Sequence, residues 1–227
     1  MVWEFIKMML QNISSETFTE EALLNTSANL YEFIGKVKPH GPNWMNQQPI
    51  QWPNDLIMYQ EILVTTVPTI VVELGVASGI TCHFLNDMFM LMKWKGMISN
   101  WKIIGVDIRD SHIPFPETIK FILGSSLEVF NEVKSYISEN DKVMVMLDSD
   151  HNCDYVLKEM ELYRQLVTMG CYMVVEDGFN DIYLNHNAGP LTAIEKYLSR
   201  YDDFEVDYNL QRWVATQNYK GFLRKTK

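Results

Sequence analysis

An α/β domain, doubly wound around a mostly parallel sheet, is what the sequence predicts, and three observations predict it. Five short runs, Thr69–Leu74, Lys102–Val106, Ile119–Leu123, Val143–Leu147 and Cys171–Val175, are almost continuously apolar and rich in Val, Ile and Met, as strands covered on both faces are. Between the last two, Tyr155, Leu157, Met160, Leu162, Leu166 and Val167 suit a crossover helix. The runs also end at carboxylates: Glu73, Asp107, Asp148 with Asp150, and the pair Glu176 and Asp177. Parallel neighbours deliver such groups to one sheet edge, outside the carboxyl ends of the strands, where ligands bind in open α/β sheets.

A chain of 227 residues is long enough for one well-buried α/β domain and short for two. The expected division is an N-terminal helical extension over residues 1–40 and a single domain over 41–227. A formal charge of −10, with no run of Lys or Arg, opposes binding to bare phosphate backbones, so nucleic acid is not expected as a partner. Cys82, Cys153 and Cys171 show no metal-type or CxxC spacing, which fits a reducing cytoplasm. Glu4 and Lys7 interrupt the apolar opening and no small-residue cleavage site follows, so no signal peptide is expected. No segment reaches the ~18 uninterrupted apolar residues of a membrane span.

In chain order, Phe5, Met8, Met9 and Leu10 form an apolar helical face whose expected use is contact within a homo-oligomer; a lid or a core edge are the alternatives. Thr19, Glu20 and Glu21 cap a second helix that Gly35 and Pro39 end. The stretch HGPNWMNQQPIQWP, residues 40–53, is too rich in Pro, Gly and Asn for a regular element. Trp44, Trp52 and three glutamines leave it as either a substrate-binding loop or scaffold. A helix over Asp55–Val64 leads into the first strand, and GVASG then turns into an amphipathic helix, the opening of a nucleotide-binding βαβ unit. Gly75 and Gly79 let backbone approach a cofactor closely, and Glu73 is a charge at the end of a buried strand. Asp107 stands where an acid clamps two ribose hydroxyls. The interval from Gly75 to Asp107 exceeds the ~20 residues of a dinucleotide fingerprint, which disfavours nicotinamide chemistry. Gly124, Ser125 and Ser126 turn into a helix, with the serines as caps or cofactor contacts. After the fifth strand come a loop with His186, the helix PLTAIEKYLSR, two strands at Phe204–Asp207 and Trp213–Thr216, and the run GFLRK. Closely spaced final strands predict an antiparallel edge hairpin.

The series NWMNQQPIQWPNDLIMYQEILVTTVPTIVVELGVASG, GVDIR, GSS, LDSDH, a helix with Glu161, GCYMVVEDG, GPLTAIEKYL, FEVD and NYKGFLRK resembles the cephalosporin hydroxylase family, a group of class I S-adenosylmethionine-dependent methyltransferases. The likeness runs from about Trp44 to the C-terminus. It implies a Rossmann-like seven-stranded sheet that holds S-adenosylmethionine at Glu73, Gly75, Ser78, Gly79, Asp107, Ser125, Ser126 and Asp148. The site also resembles that of metal-dependent macrolide sugar O-methyltransferases. By that likeness Asp148, Glu176 and Asp177 hold Mg²⁺ or another hard divalent cation, with Asp148 and His151 catalytic and His151 the base. One departure stands out: the family commonly has Gly-Gly-Ser after the first strand, where this chain has Ala77, Ser78 and Gly79.

The expected reaction is methyl transfer to a hydroxyl of a sugar, polysaccharide unit or secondary metabolite. Three converging carboxylates repel unless a hard cation or shared protons intervene, and a cation makes a hydroxyl acidic and directs it. Neighbouring readings stay open. DSDH can be an N-cap cluster, the expected role of Asp150, and Glu176 or Asp177 can belong to a structural salt bridge. Glu176 and Asp177 point to opposite faces unless the chain turns there, which Gly178 permits. His112 and His186 are candidates for substrate contact. Two functions compete: a cofactor-binding partner protein that assists an oxidising enzyme, and a nicotinamide-dependent oxidoreductase.

Overall fold

The computed structural model describes residues 29, 44–47, 51–111, 113–183, 188–212 and 216–227. Nearly all of the two N-terminal helical patterns, His40, His112, His186 and residues 213–215 of the anticipated strand lie outside the described residues.

Helix α1 (Pro53–Thr66) opens on a proline, whose fixed φ suits a first helical turn, and ends at Val67 in the left-handed region. Strand β1 (Ile70–Leu74), helix α2 (Ile80–Trp94), β2 (Lys102–Asp107) and β3 (Ile119–Leu123) follow, then α3 (Phe130–Ser135) and β4 (Val143–Leu147). The crossover helix α4 (Cys153–Tyr163) leads to β5 (Tyr172–Val175), α5 (Gly178–Tyr183), α6 (Pro190–Arg200), β6 (Phe204–Val206) and β7 (Phe222–Lys225). The sheet runs β3-β2-β1-β4-β5-β7-β6. Strands β1 to β5 pair in parallel, and β7 lies antiparallel to both β5 and β6.

The strand period of two divides the core. Ile70, Val72 and Leu74 face a cluster closed by α3, α4 and α6, whereas Val71 faces α1 and α2. Glu73, two residues on from Val71, therefore lies beneath α2, where its Oε2 accepts from the Cys82 thiol at 2.9 Å. The edge hairpin is present, but its second arm is the GFLRK run. Adjacent Phe222 and Leu223 are each fully buried, one in each core cluster, so this segment belongs inside the sheet and β6 becomes the edge.

The end of β1 is wedged between its neighbours. Gly75 donates to Val106 O and the Asp148 amide donates to Leu74 O, both at 2.8 Å. Gly75 has φ 90, and a Cβ there would lie 1.9 Å from the Asp148 carbonyl oxygen. The missing side chain thus makes room for the chain after β4. Ala77 adopts φ 47, a conformation that disfavours any residue with a Cβ. In denaturant unfolding, Gly75→Ala is expected to cost more than ~2 kcal/mol. Ala77→Gly is expected to be neutral or to stabilise by up to ~1 kcal/mol; a loss above that size would show that the methyl group makes a contact outweighing the strain.

Candidate active site

A cavity of about 820 Å³ opens at the carboxyl ends of β1 to β4. Its wall is made by Gly75, Ala77 and Ser78 after β1, Asp107 to Asp110 after β2, Gly124 to Ser126 after β3, Asp148 to Asp150 after β4, and Tyr155 of α4. Of the anticipated cofactor residues, Gly75, Ser78, Asp107, Ser125, Ser126 and Asp148 are on this wall. Glu73 and Gly79 are not: the first is under α2, and the second packs against the Phe115 ring. Asp107 accepts from the Ala77 and Arg109 amides, each at 2.8 Å, so it joins the turns after β1 and β2. The Ser125 and Ser126 hydroxyls lie 3.0 and 3.1 Å from the Tyr155 hydroxyl. Behind them buried Glu159 accepts from Ser126 and, at 2.6 Å, from Ser149.

Beside the cavity, sharing Asp148 with it, lies a cluster of titratable groups. His151 Nε2 stands 3.1 Å from Asp177 Oδ2 and 3.6 Å from Asp148 Oδ1. These ligand atoms all fall within 4.8 Å of one another, so among the described residues Asp148, His151 and Asp177 form a group that could hold a metal ion, and Glu176 lies outside it. Glu176 adjoins it through the buried Gln51 amide, whose Nε2 donates to Asp148 Oδ2 at 3.0 Å and Glu176 Oε2 at 3.3 Å. The turn that brings Glu176 and Asp177 together is at Asp177 itself, with φ 58. Gly178 serves a different need, since a Cβ there would lie 2.5 Å from the Tyr219 carbonyl oxygen. After β4, Asp150 accepts from the Asn152 amide at 2.7 Å and Asn152 caps α4. That tight turn returns His151 toward Asp148.

A family profile described as Rhamnosyl O-methyltransferase/CmcI matches residues 39–226. The chain belongs to the rhamnosyl O-methyltransferase/CmcI family. It is similar to the rhamnosyl O-methyltransferase of Mycobacterium leprae (strain TN), 31% identical over 199 residues that cover 81% of this chain and 80% of that one. The rhamnosyl O-methyltransferase of Mycobacterium tuberculosis (strain ATCC 25618 / H37Rv) is 31% identical over 188 residues, covering 75% and 72%. Among solved structures, the CmcI-N160 apo-structure superposes with a TM-score of 0.65 at 20% identity, covering 86% of this chain and 84% of that one. A structure described as cmcI-D160 Mg-SAM gives 0.62 at 20% identity, covering 82% and 77%. The fold is that of class I methyltransferases, as the motifs predict.

In this member of the rhamnosyl O-methyltransferase/CmcI family the acids are held against their own charge. Burial, then the charges of Asp148, Asp177 and Glu73, lifts Glu176 well above the usual carboxylate range. Burial raises Asp148 against the pull of His151, and burial with Asp148 beside it lifts Asp177 to about 6. His151 is raised, chiefly by Asp148 with Asp177 adding, against the effect of burial. Glu176 Oε1 is buried and, among the described residues, without a hydrogen-bond partner. The Asp148 and Asp177 oxygens, with the orphaned Glu176 oxygen adjoining them, are hard donors that fit a divalent cation, and the His151 nitrogen stands in the same group.

Sequence reasoning does not find Tyr155, Ser149, Glu159, Gln51 or Gln217 as parts of this region. Tyr155 reads as one more apolar residue of the crossover helix. Gln51 carries a signal, the amide-rich loop before α1, but the loop's tryptophans serve as scaffold: Trp44 donates to Asp87 at 2.9 Å and packs edge-on against Phe84, and Trp52 is buried.

Burial lifts Glu73 to about 8, so folding favours its protonated form. The folded protein binds that proton more tightly than the unfolded chain, so the associated stability is present below pH ~4.5 and lost as pH rises through about 8. The denaturation midpoint of the metal-free protein is therefore expected to fall between pH 5 and 8. Glu73→Gln, which cannot ionise, is expected to flatten that fall; an unchanged slope would mean that Glu73 does not titrate in this window.

Proposed function

We propose that the protein transfers the methyl group of S-adenosylmethionine to a hydroxyl of a saccharide or small molecule, in a reaction that depends on a divalent cation. The observation that carries this reading is that Asp148 belongs at once to the wall of the cavity and to the acid cluster. A methyl donor in the one and an acceptor hydroxyl at the other would be neighbours. When bound, S-adenosylmethionine supplies an electrophilic methyl carbon and the cation supplies charge that makes a hydroxyl more acidic.

The protein's own groups do the rest. Asp107, Ser125, Ser126 and Ser78 offer polar atoms along the cavity wall, with Gly75 setting the wall's depth by admitting the Asp148 main chain. Asp148, Glu176 and Asp177 would hold the cation. In-line displacement depends on alignment, and the β1 to β4 contacts fix one half of the site against the other. His151 Nε2 would accept the acceptor's proton. In this structure Asp148 and Asp177 favour the protonated imidazole, so the base becomes competent when those carboxylates are engaged elsewhere.

The relatives' names point to a deoxyhexose hydroxyl as the first acceptor to test. The family match supports neither the partner-protein reading nor the nicotinamide reading. We place the protein in a reducing cytoplasm, a reading supported by three free, buried cysteines. Among the described residues no helix is long and apolar enough to cross a membrane. A homo-oligomer, proposed from the apolar N-terminal pattern, is checked by light scattering.

Calorimetric titration is expected to give binding of S-adenosylhomocysteine and none of a nicotinamide dinucleotide; the reverse result would overturn the reading. Asp148→Ala and Glu176→Ala should abolish turnover while leaving S-adenosylhomocysteine affinity within about tenfold. Full activity in EDTA would exclude the metal. His151→Ala should lower turnover by roughly 10²- to 10⁴-fold; retention of the wild-type pH profile would remove His151 from the role of base.

A further inference from the structure

Two glutamines, distant in sequence, divide the three carboxylates between them. Gln51 is buried, 5% exposed. Its Oε1 accepts from the Thr81 hydroxyl at 2.7 Å, on the first turn of α2, while its Nε2 spans Asp148 Oδ2 and Glu176 Oε2. Gln217 comes from the segment before β7. Its Nε2 donates to Asp177 Oδ1 at 3.3 Å, and its Oε1 accepts from the Trp52 amide at 2.9 Å. The Trp52 backbone amide can only donate, so Gln217 Oε1 faces it and Gln217 Nε2 faces Asp177, while Gln51 is placed with Nε2 toward Asp148 and Glu176 and Oε1 toward the Thr81 hydroxyl.

The consequence lies in the oxygens left over. Each carboxylate has one oxygen engaged by an amide. The other three are Asp148 Oδ1 and Asp177 Oδ2, which flank His151 Nε2, and Glu176 Oε1, which has no hydrogen-bond partner among the described residues. Neutral donors can fix the rotation of an acid without neutralising it, as Lys or Arg would. The amides are themselves anchored. Gln217 Oε1 is bonded to the residue next to Gln51, and the Gln217 backbone N–H donates to buried Asp55 at 3.0 Å.

We propose that Gln51 and Gln217 are positioning residues of the metal site, presetting one oxygen of each carboxylate for a divalent cation. The inference rests on the metal-dependent reading above. Groups that orient ligands in this way typically account for 10- to 100-fold in metal affinity.

The test is Mn²⁺ binding to the full chain, followed by electron paramagnetic resonance of the free ion, with S-adenosylhomocysteine affinity measured on the same samples. Methionine keeps the length of glutamine without its amide, so Gln51→Met and Gln217→Met are the variants, with Asp148→Asn as the control that removes a ligand. The expected result is one Mn²⁺ site in the parent protein, lost in Asp148→Asn and weakened at least 10-fold in each glutamine variant. In each glutamine variant S-adenosylhomocysteine affinity should stay within about threefold. If the parent binds Mn²⁺, Asp148→Asn does not, and both glutamine variants bind within twofold of the parent, the positioning role is overturned and the metal site stands. If the parent binds no Mn²⁺, the metal-dependent reading fails and this inference with it. Equal losses of Mn²⁺ and S-adenosylhomocysteine affinity would mean general damage to the site and would also overturn the role.

Discussion

Like charge withdrawn from water is the constraint on which this structure turns. Glu73, Asp148, Glu176 and Asp177 are gathered at one end of the sheet, and among the described residues none of them pairs with a lysine or arginine; His151 alone approaches as a cation. Elsewhere the chain handles a buried acid differently. Asp203 is held by Arg164 at 2.9 Å and by the Tyr197 hydroxyl, the arrangement expected when only architecture is at stake. Asp148, Glu176 and Asp177 are desolvated and held by neutral amides, and the oxygen that each has left faces His151 or, for Glu176, no partner among the described residues.

Several local features follow from that constraint. The parallel pairing of β4 with β5 sets the acid-bearing ends side by side. Asp177 takes up a left-handed backbone so that two consecutive carboxylates serve one location. The β1 to β4 apposition at Gly75 then brings the cavity against the acids, with the Asp148 main chain on one side of the contact and its side chain on the other.

Much of this is legible in the sequence. Five strands, the parallel order implied by their crossovers, and the carboxylates at their ends can be read from apolar runs that stop at charge. What escaped is non-local or depends on which face a side chain takes. Glu73 looked like a cofactor contact because it ends a strand, yet strand alternation sends it beneath α2 with Val71. GFLRK looked like a tail, although its two adjacent apolar residues supply both core clusters. Gly75 and Gly178 mark the right turns, and each also yields to the protein's own backbone. The bond from Gln217 to Trp52 joins residues far apart in the chain, and no pattern within either segment announces it. Tyr155 was hidden by its helical spacing, since a hydroxyl at the rim of a core face has the same periodicity as a buried ring.

The bridging of the pre-α1 loop to the pre-β7 segment also bears on how such enzymes diversify. Trp52, Asp55, Thr216 and Gln217 form one hydrogen-bonded seam, so the loop cannot be exchanged as an independent cassette. A chimera that imports residues 44–55 from a homologue, and so replaces Asp55, would inherit a mismatched seam unless residues 216–218 travel with it. Evolution of new acceptor preference along this edge is thus expected to proceed by paired replacements, which makes the two segments natural candidates for covariation.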